Sequence, residues 1–300
     1  MYDSFSIDYD RFVDWDARLA AEMPFLAGLL RAVDAHRVLD AACGTGMHAI
    51  ALAERGYQVV GTDFSRPMIE RARVNALQIR RTTEGPGPGT IRFVTAGFGG
   101  LAQALGIDPH RAHIGELDTP RFDAVLCLGN SLPHVLTPAD LAATLDDFGH
   151  CLRPGGLLLI QNRNFAGVLA DTDRWMGPQS HREGAKEWLF LRFYDFDPDG
   201  LLTFNIVRLT REGDRDWAQH VSATRLWPLT ERYLTPALEE AGFTGLTAYG
   251  DMQGCPFDPY TSPNLVIAAH GNTTEPRDVS ARGHPGPSPA PLAPNTKEEP

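Results

Sequence analysis

The sequence predicts an α/β protein built on a doubly wound, mostly parallel β-sheet. Three features indicate this fold: a strand that runs through a glycine turn into a helix at residues 38–55, an alternation of strands and helices up to residue 160, and a nearly continuous apolar run at residues 122–129. A strand that is apolar throughout is covered on both faces, as happens when helices flank a parallel sheet.

The predicted elements follow in a regular order. Apolar residues near helical spacing predict a helical N-terminal segment at residues 8–33, packed against the sheet. The glycine turn leads into a helix at residues 47–55, and a later helix begins after Ser65, which is suited to cap it, with Pro67 in its first turn. The remaining strands of this half are predicted at residues 58–61, 91–95, 122–129 and 157–160, with a helix at residues 138–151 before the last of them.

The second half changes in character. Residues 186–227 alternate apolar stretches with turn sequences such as Asp197–Gly200, which predicts a small insertion of three antiparallel strands. A helix at residues 230–241 and strands near 246–249 and 264–270 then return to the main sheet. Gly- and Pro-rich residues 81–90 and the polar residues 106–120 are predicted surface loops.

Composition limits the domain organisation and the partners. We expect one domain at residues 1–271 and a disordered tail at residues 272–300, because seven prolines and few large apolar side chains follow Gly271. The net charge is −11, and lysine occurs only at positions 186 and 297. Such a surface repels a phosphate backbone, so a nucleic-acid partner is disfavoured.

The cysteines and the N-terminus point to a reduced compartment. Cys43, Cys127, Cys151 and Cys255 lie far apart, with no spacing typical of a metal site, so we expect reduced thiols and no metal. No basic region followed by an apolar run opens the chain, and no stretch approaches the length of a membrane span, so we expect a cytoplasmic protein.

The glycine turn indicates a binding site for a nucleoside with a positive charge. The turn Ala42-x-Gly44-x-Gly46 differs from the dinucleotide pattern Gly-x-Gly-x-x-Gly, and it is preceded by Asp40. A carboxylate in this turn repels phosphate and suits a cation. Asp63, at the end of the second strand, stands where such folds present a carboxylate to ribose. S-adenosylmethionine has these properties, since it carries an ammonium and a sulfonium and no phosphate.

Three motifs carry a family resemblance. Val38 to Gly46 resembles the first motif of the class I S-adenosylmethionine-dependent methyltransferases, which have a Rossmann-like, seven-stranded sheet. Leu126 to His134 and Leu152 to Asn164 narrow the similarity to glycine N-methyltransferase and its glycine- and sarcosine-methylating relatives. The likeness covers roughly residues 8–270 and is strongest in the first half.

The resemblance implies a set of cofactor-binding residues. Arg18 matches by its position an arginine that holds the methionyl carboxylate, and Phe64 and Met68 would cover the adenine unless they belong to the core. Gly97 departs from the family, since many relatives have an acidic residue there that contacts the adenine amino group; stacking on Phe98 and backbone groups would replace it. The full expected set is Tyr9, Arg18, Asp40, Ala42, Gly44, Gly46, Asp63, Phe64, Met68, Gly97, Phe98, Leu128 and His134.

Two residues are expected at the methyl acceptor. Asn130 follows the apolar strand, and in the family this asparagine lies at the substrate; the alternative is a simple turn residue. Arg163 follows the next strand, and in the family it binds the carboxylate of glycine; the alternative is a structural salt bridge. Trp175, Trp188, Tyr194 and Trp227 either wall the acceptor site from the insertion or form the insertion's own core.

The resemblance therefore predicts a methyltransferase that N-methylates a small carboxylated amine. Methylation of another small N- or O-acceptor remains open, as does a non-catalytic protein that binds S-adenosylmethionine. Methylation of a nucleic-acid base is disfavoured, because those enzymes place Pro-Pro and an aromatic residue after the Asn where this chain has Ser131 and Leu132. The oligomeric state is open, and the apolar insertion could form a subunit interface.

Overall fold

A computed structural model describes residues 8–82, 89–108, 121–172 and 174–272. Residues 8–12 are helical. The helices that follow are α1 (Trp15–Ala32), α2 (Met47–Glu54), α3 (Arg66–Thr82), α4 (Leu101–Leu105), the 3₁₀ turn Leu132–His134, α5 (Pro138–Cys151), α6 (Phe165–Asp171) and α7 (Glu231–Glu240). The strands are β1 (Arg37–Ala41), β2 (Gln58–Asp63), β3 (Thr90–Thr95), β4 (Phe122–Cys127), β5 (Leu152–Arg163), β6 (Trp175–Glu183), β7 (Lys186–Phe196), β8 (Leu202–Glu212), β9 (Ala218–Leu226), β10 (Thr244–Tyr249) and β11 (Asn264–His270).

The main sheet confirms the predicted fold class. Its seven strands lie in the order β10-β11-β5-β4-β1-β2-β3. The pairs β4–β5, β1–β4, β1–β2 and β2–β3 are parallel, whereas β11 runs antiparallel to β5 and β10. The strand order reverses between β1 and β4, and the carboxyl edge at such a switch point is where open α/β sheets bind ligands.

Helices cover both faces of the main sheet. One core layer joins the sheet to α4, α5 and α7 through residues such as Leu105, Phe148 and Leu238. The other joins it to α1, α2 and α3 through residues such as Leu30, Leu52 and Ile69. Burial on both faces explains why the central strands are continuous apolar runs in the sequence.

The insertion is larger than predicted. It is a four-stranded antiparallel sheet in the order β6-β7-β8-β9, one strand more than the three predicted at residues 186–227. The additional strand, β6, is mostly exposed and contains Pro178, and its pairing with β7 is irregular between Met176 and Gln179. A strand with neither alternation nor a buried face gives no period-two signal, and an edge position tolerates proline.

Residues 8–12 join the two sheets. The Asp10 carboxylate accepts hydrogen bonds from Thr45 Oγ1 at 2.6 Å, and from Arg71 Nε and Asn75 Nδ2 at 3.0 Å each, all on the main-sheet side. On the other side, Asp8 pairs with Arg208 of β8. These bonds hold Tyr9 between the sheets.

Two predicted loops and the tail fall largely outside the described residues, namely at residues 83–88, 109–120 and 273–300. Within the described ranges, no helix combines the length and the apolar character needed to span a membrane.

Candidate active site

Two adjoining cavities lie at the carboxyl edge of the main sheet. The large cavity has a volume of about 1010 Å³ and is lined by residues that follow β1, β2, β3 and β4. The small cavity, of about 340 Å³, lies at the ends of β4 and β5 beneath the antiparallel sheet. Tyr9, Gly129 and His134 line both cavities, so these residues mark where the cavities meet.

The glycine turn after β1 uses left-handed backbone at three positions. Ala42, Gly44 and Gly46 have φ angles of 64°, 55° and 82°. A Cβ added at Gly44 would meet no atom within 4 Å, and Gly44 lines the large cavity. A Cβ at Gly46 would lie 2.8 Å from the ring of Phe93, so Gly46 allows the start of α2 to approach Phe93 of β3 closely. The two glycines therefore have different physical roles.

Asp63 ends β2 on the wall of the large cavity. Its Oδ2 accepts the Gly44 N–H at 3.0 Å and its Oδ1 accepts the Ser65 N–H at 2.8 Å. A carboxylate oxygen accepts more than one hydrogen bond, and Asp63 lines the large cavity, where a ligand hydroxyl can reach it. Ser65 also caps α3, because its Oγ accepts the Met68 N–H at 3.4 Å as predicted. The turn and the helix start thus fix the carboxylate.

Asp40 is a buried carboxyl beneath the turn. It is 2% exposed, and its Oδ2 has no hydrogen-bond partner among the described residues. Burial raises the pKa of Asp40 from 3.8 to about 7, and the negative charge of Asp63 adds to this shift. A bound cation would stabilise the ionised form of Asp40 and so lower this pKa. This agrees with the sequence argument that the turn suits positive charge.

Arg18 of α1 reaches the small cavity and is held in place by two neighbours. Its Nε donates to Glu22 at 3.0 Å and its Nη2 donates to Gln161 Oε1 at 3.3 Å. Glu22 in turn bonds His48 Nε2 at 2.7 Å. Nη1 makes no hydrogen bond to any described residue, so the fixed guanidinium keeps donors for an anion.

Asn130 lies in a sharp turn after β4. Gly129 and Asn130 both have left-handed backbone, with φ angles of 70° and 65°. The Asn130 Oδ1 accepts the backbone N–H of Arg163 at 2.9 Å, which ties the ends of β4 and β5 together. Its Nδ2 makes no hydrogen bond to any described residue. Asn130 therefore acts as a turn residue and also lines the small cavity.

His134 stands between the cavities as a neutral side chain. Burial lowers the pKa of His134 from 6.5 to about 4, so the imidazole is uncharged at neutral pH. A neutral ring avoids repelling a cationic ligand.

Arg163 projects into the small cavity from the end of β5. Among the described residues no carboxylate pairs with its guanidinium, so the salt bridge considered from the sequence is not formed there. Tyr194 of β7 lies across the cavity, and burial raises its pKa to about 12, with Arg163 acting in the opposite direction. The Tyr194 hydroxyl is therefore protonated at neutral pH.

The structure brings most of the predicted site residues together. The large-cavity wall contains Tyr9, Ala42, Gly44, Asp63, Phe64, Met68, Gly97, Phe98 and His134, and the small-cavity wall contains Tyr9, Arg18, Asn130, His134 and Arg163. Asp40, Gly46 and Leu128 do not line either wall. Asp40 is buried within β1, Leu128 is buried directly after the end of β4, and Gly46 packs against Phe93.

Of the four predicted wall aromatics, only Tyr194 lines a cavity. Trp188 is 2% exposed within the insertion's own cluster, with Phe190 and Ile206. The ring of Trp175 lies tilted against that of Phe193, with ring centres 4.7 Å apart, and Trp227 packs against the core layer that contains α5. The alternative given in the sequence analysis holds for Trp188, whereas Trp175 lies exposed on the edge strand of the insertion and Trp227 packs against the main core.

Several wall residues carried no sequence signal. Gln161 accepts the Gly129 N–H at 3.1 Å in addition to Arg18, which joins α1 to the β4 turn. The insertion contributes Thr224 and Arg225 to the large cavity and Arg192 to the small one. The residues of the insertion come from a distant segment, and only its packing over the sheet edge brings them to the site.

Comparison with known proteins agrees with this geometry. Residues 38–156 match a family model described as a methyltransferase domain. A glycine/sarcosine N-methyltransferase from Aphanothece halophytica is 33% identical over 254 residues, which are 82% of this chain and 80% of that protein. Glycine N-methyltransferase from Mus musculus is 34% identical over 161 residues, which are 52% of this chain and 50% of that protein.

Solved structures share the fold. An S-adenosylmethionine-dependent methyltransferase from Clostridium acetobutylicum aligns with a TM-score of 0.64 at 15% identity, covering 90% of this chain and 99% of that one. The amino pentose methyltransferase CalS10 from Micromonospora echinaspora, solved with S-adenosylmethionine bound, aligns with a TM-score of 0.61 at 20% identity, covering 90% and 97% of the two chains.

Proposed function

The chain belongs to the S-adenosylmethionine-dependent methyltransferases, and we propose that it methylates the nitrogen of a small amine that carries a carboxylate, such as glycine or sarcosine. The proposal rests above all on one observation. Arg163, a guanidinium without an acidic partner among the described residues, lines a small cavity that opens onto the large one. An uncompensated charge in such a place is costly, and a carboxylate on the acceptor would offset that cost.

The large cavity has the features needed to hold the cofactor. Gly44 leaves open space on its wall, the buried Asp40 oxygen beneath the turn lacks a partner among the described residues, and Arg18 on the adjoining small cavity keeps free donors. We assign Asp63 to the ribose hydroxyls, Arg18 to the methionyl carboxylate, and Phe64 and Met68 to the adenine. S-adenosylmethionine supplies a methyl group already activated by the positive sulfonium.

The residues of the chain therefore need to supply position more than acid–base power. Asn130 and Arg163 would orient the acceptor from adjacent strand ends. Its carboxylate would lie on Arg163, and its nitrogen would point toward Gly129 and His134, which line both cavities. Holding two reactants in line can lower a barrier by about 7–11 kcal/mol. The roof formed by the antiparallel sheet would exclude water from the same space.

The remaining expectations about partners belong to this proposal as well. The acceptor is a small molecule and not a nucleic acid, which agrees with the charge of −11. We expect the protein to work in the cytoplasm, and its oligomeric state is left open. The described domain at residues 8–272 would carry the whole activity, with the tail dispensable.

The substitution Arg163→Lys tests the proposal. Lysine keeps the charge but loses the bidentate fork, so kcat/KM for glycine or sarcosine should fall by about 1–3 kcal/mol of transition-state stabilisation. Cofactor affinity, measured by calorimetry, should stay unchanged. Arg182→Lys is the matched control, because Arg182 lies exposed on β6 and pairs with Glu187 at 3.3 Å. Equal kcat/KM in the two variants would contradict the role of Arg163.

A further inference from the structure

The small cavity has a roof as well as a floor. Arg163, Asn130 and Gln161 form its floor at the sheet edge. The roof consists of one face of the antiparallel sheet, where Arg192 pairs with Ile206 and Tyr194 with Phe204. Positions two apart on a strand face the same way, so Arg192 and Tyr194 share this face.

Arg192 is a cation without an acidic partner in the described part of the chain. Its Nε is buried and makes no hydrogen bond to any described residue. Its guanidinium lies over the ring of Phe12, 5.1 Å from the ring centre. Burial lowers the pKa of Arg192, and so does the positive charge of Arg163, while Tyr194 and Tyr9 act in the opposite direction. No carboxylate contributes to that balance.

Two other arginines of the antiparallel sheet are different. Arg208 pairs with Asp8, and Arg211 donates to Glu187 at 2.8 Å. A structural arginine in this sheet therefore has a carboxylate at ion-pair distance, whereas the arginine that faces the cavity has none among the described residues.

The charges on the cavity wall do not balance. The charged side chains that line it are Arg18, Glu22, Arg163 and Arg192. Glu22 is already bound by Arg18 and His48, at 3.0 Å and 2.7 Å. One positive charge is thus left on the floor and one on the roof. Like charges in a partly dehydrated space are unfavourable unless an anion lies between them.

A second unsatisfied group lines the same space. Asn162 is 1% exposed, and neither atom of its side-chain amide has a hydrogen-bond partner among the described residues. Buried amides are nearly always paired, so a polar ligand in this cavity would satisfy what the protein leaves open.

We propose that Arg192 is a second acceptor-binding residue, and that the acid group of the acceptor is held between Arg163 on the floor and Arg192 on the roof. This inference rests on the proposed function and assigns the acceptor's acid group two cations in place of one. The acceptor then spans from the floor to the antiparallel sheet, and its amine lies toward Tyr9, Gly129 and His134, where the two cavities meet. Arg192 also makes the site selective for anionic acceptors.

Steady-state kinetics of Arg192→Gln, Arg192→Lys and Arg211→Gln test this assignment, with glycine and sarcosine as acceptors. Loss of one hydrogen-bonded charge corresponds to about a 10- to 150-fold change in binding. We expect the Gln variant at position 192 to raise the acceptor KM by that factor, with a much smaller change in kcat. The Lys variant should recover part of the loss, because it restores the charge.

Two further measurements separate binding from structure. Calorimetric affinity for S-adenosylhomocysteine should be the same in wild type and Arg192→Gln. The melting temperature of Arg192→Gln should not fall, since the cation it removes has no acidic partner among the described residues. The control Arg211→Gln removes an ion pair with Glu187 and should leave the acceptor KM unchanged.

An unchanged acceptor KM in Arg192→Gln would overturn this inference alone, provided that the wild type methylates glycine or sarcosine. A lowered melting temperature with unchanged KM would show that Arg192 is a structural residue. If the wild type methylates no carboxylated amine, the proposed function fails and this inference fails with it.

Discussion

Replacing Asp63 should distinguish its role in cofactor binding from its role in stabilising the fold. Asp63→Ala removes the carboxylate that we assign to the ribose hydroxyls, and it also leaves the Gly44 and Ser65 N–H groups without their acceptor. One hydrogen bond to a charged group is worth about 1.5–3 kcal/mol, and an unpaired buried donor costs about 1–3 kcal/mol. The variant should therefore lose both affinity and stability.

The two losses appear in different assays. We expect affinity for S-adenosylmethionine, measured by calorimetry, to fall by about 1–3 kcal/mol, which corresponds to about 5- to 150-fold in Kd. The free energy of unfolding, measured with urea, should fall by a similar amount. Asp63→Asn keeps one acceptor oxygen and should lose less stability while still losing affinity.

Asp147 offers a matched control. It is also buried, and it accepts the backbone N–H groups of Leu101 and Ala102 at 2.7 Å and 2.9 Å. It does not line either cavity. Asp147→Asn should therefore lower stability and leave cofactor affinity unchanged. If Asp63→Asn and Asp147→Asn had the same cofactor affinity as the wild type, the role assigned to Asp63 would be refuted.

Three further predictions follow from the same geometry. Gly46→Ala should lower the free energy of unfolding by about 2–4 kcal/mol, because its Cβ would overlap Phe93 and its backbone is left-handed. Gly44→Ala should instead weaken cofactor binding, with a smaller loss of stability. The reverse pattern would contradict the different roles assigned to the two glycines. Because the pKa of Asp40 is raised to about 7, the folded protein retains a proton that the unfolded chain has lost between about pH 4 and 7, so the stability contribution of this group falls as pH rises through that window. Binding of a cation should release that proton, so calorimetry in buffers of different ionisation enthalpy near pH 7 should show proton release in the wild type and less in Asp40→Asn; equal release in both would argue against Asp40. Deleting residues 272–300 should change neither the melting temperature nor cofactor affinity, since that composition buries little apolar surface, and a lower melting temperature would show that these residues dock.

The sequence predicts the cofactor half well because its signals are local. The glycine turn, the cap at Ser65 and the carboxylate of Asp63 all lie within short stretches whose backbone geometry is dictated by residue type. The apolar run before Asn130 likewise identifies the central strand and hence the edge at which Asn130 and Arg163 meet.

The small cavity is less predictable because the residues that line it come together only through packing. Strand β6 has no alternating pattern, so the sequence does not predict this additional strand of the insertion. The side of β7 that faces the cavity depends on how the insertion lies over the sheet. Arg192 is therefore indistinguishable in sequence from the paired arginines Arg208 and Arg211. Trp188 lies on the same face of β7 as Tyr194 but farther along the strand, where it packs with Phe190 and Ile206 and does not line the cavity.

The most direct test of the account is a transfer assay with radiolabelled methyl groups over a panel of acceptors. The panel should contain glycine, sarcosine and dimethylglycine, the corresponding amides and decarboxylated amines, phenols, and nucleosides. We predict labelling of carboxylated amines, with little or none of their carboxyl-free counterparts, and a loss of that preference in Arg163→Lys. Labelling confined to carboxyl-free acceptors, or the same activity in wild type and Arg163→Lys, would contradict the assignment of the small cavity to a carboxylated amine.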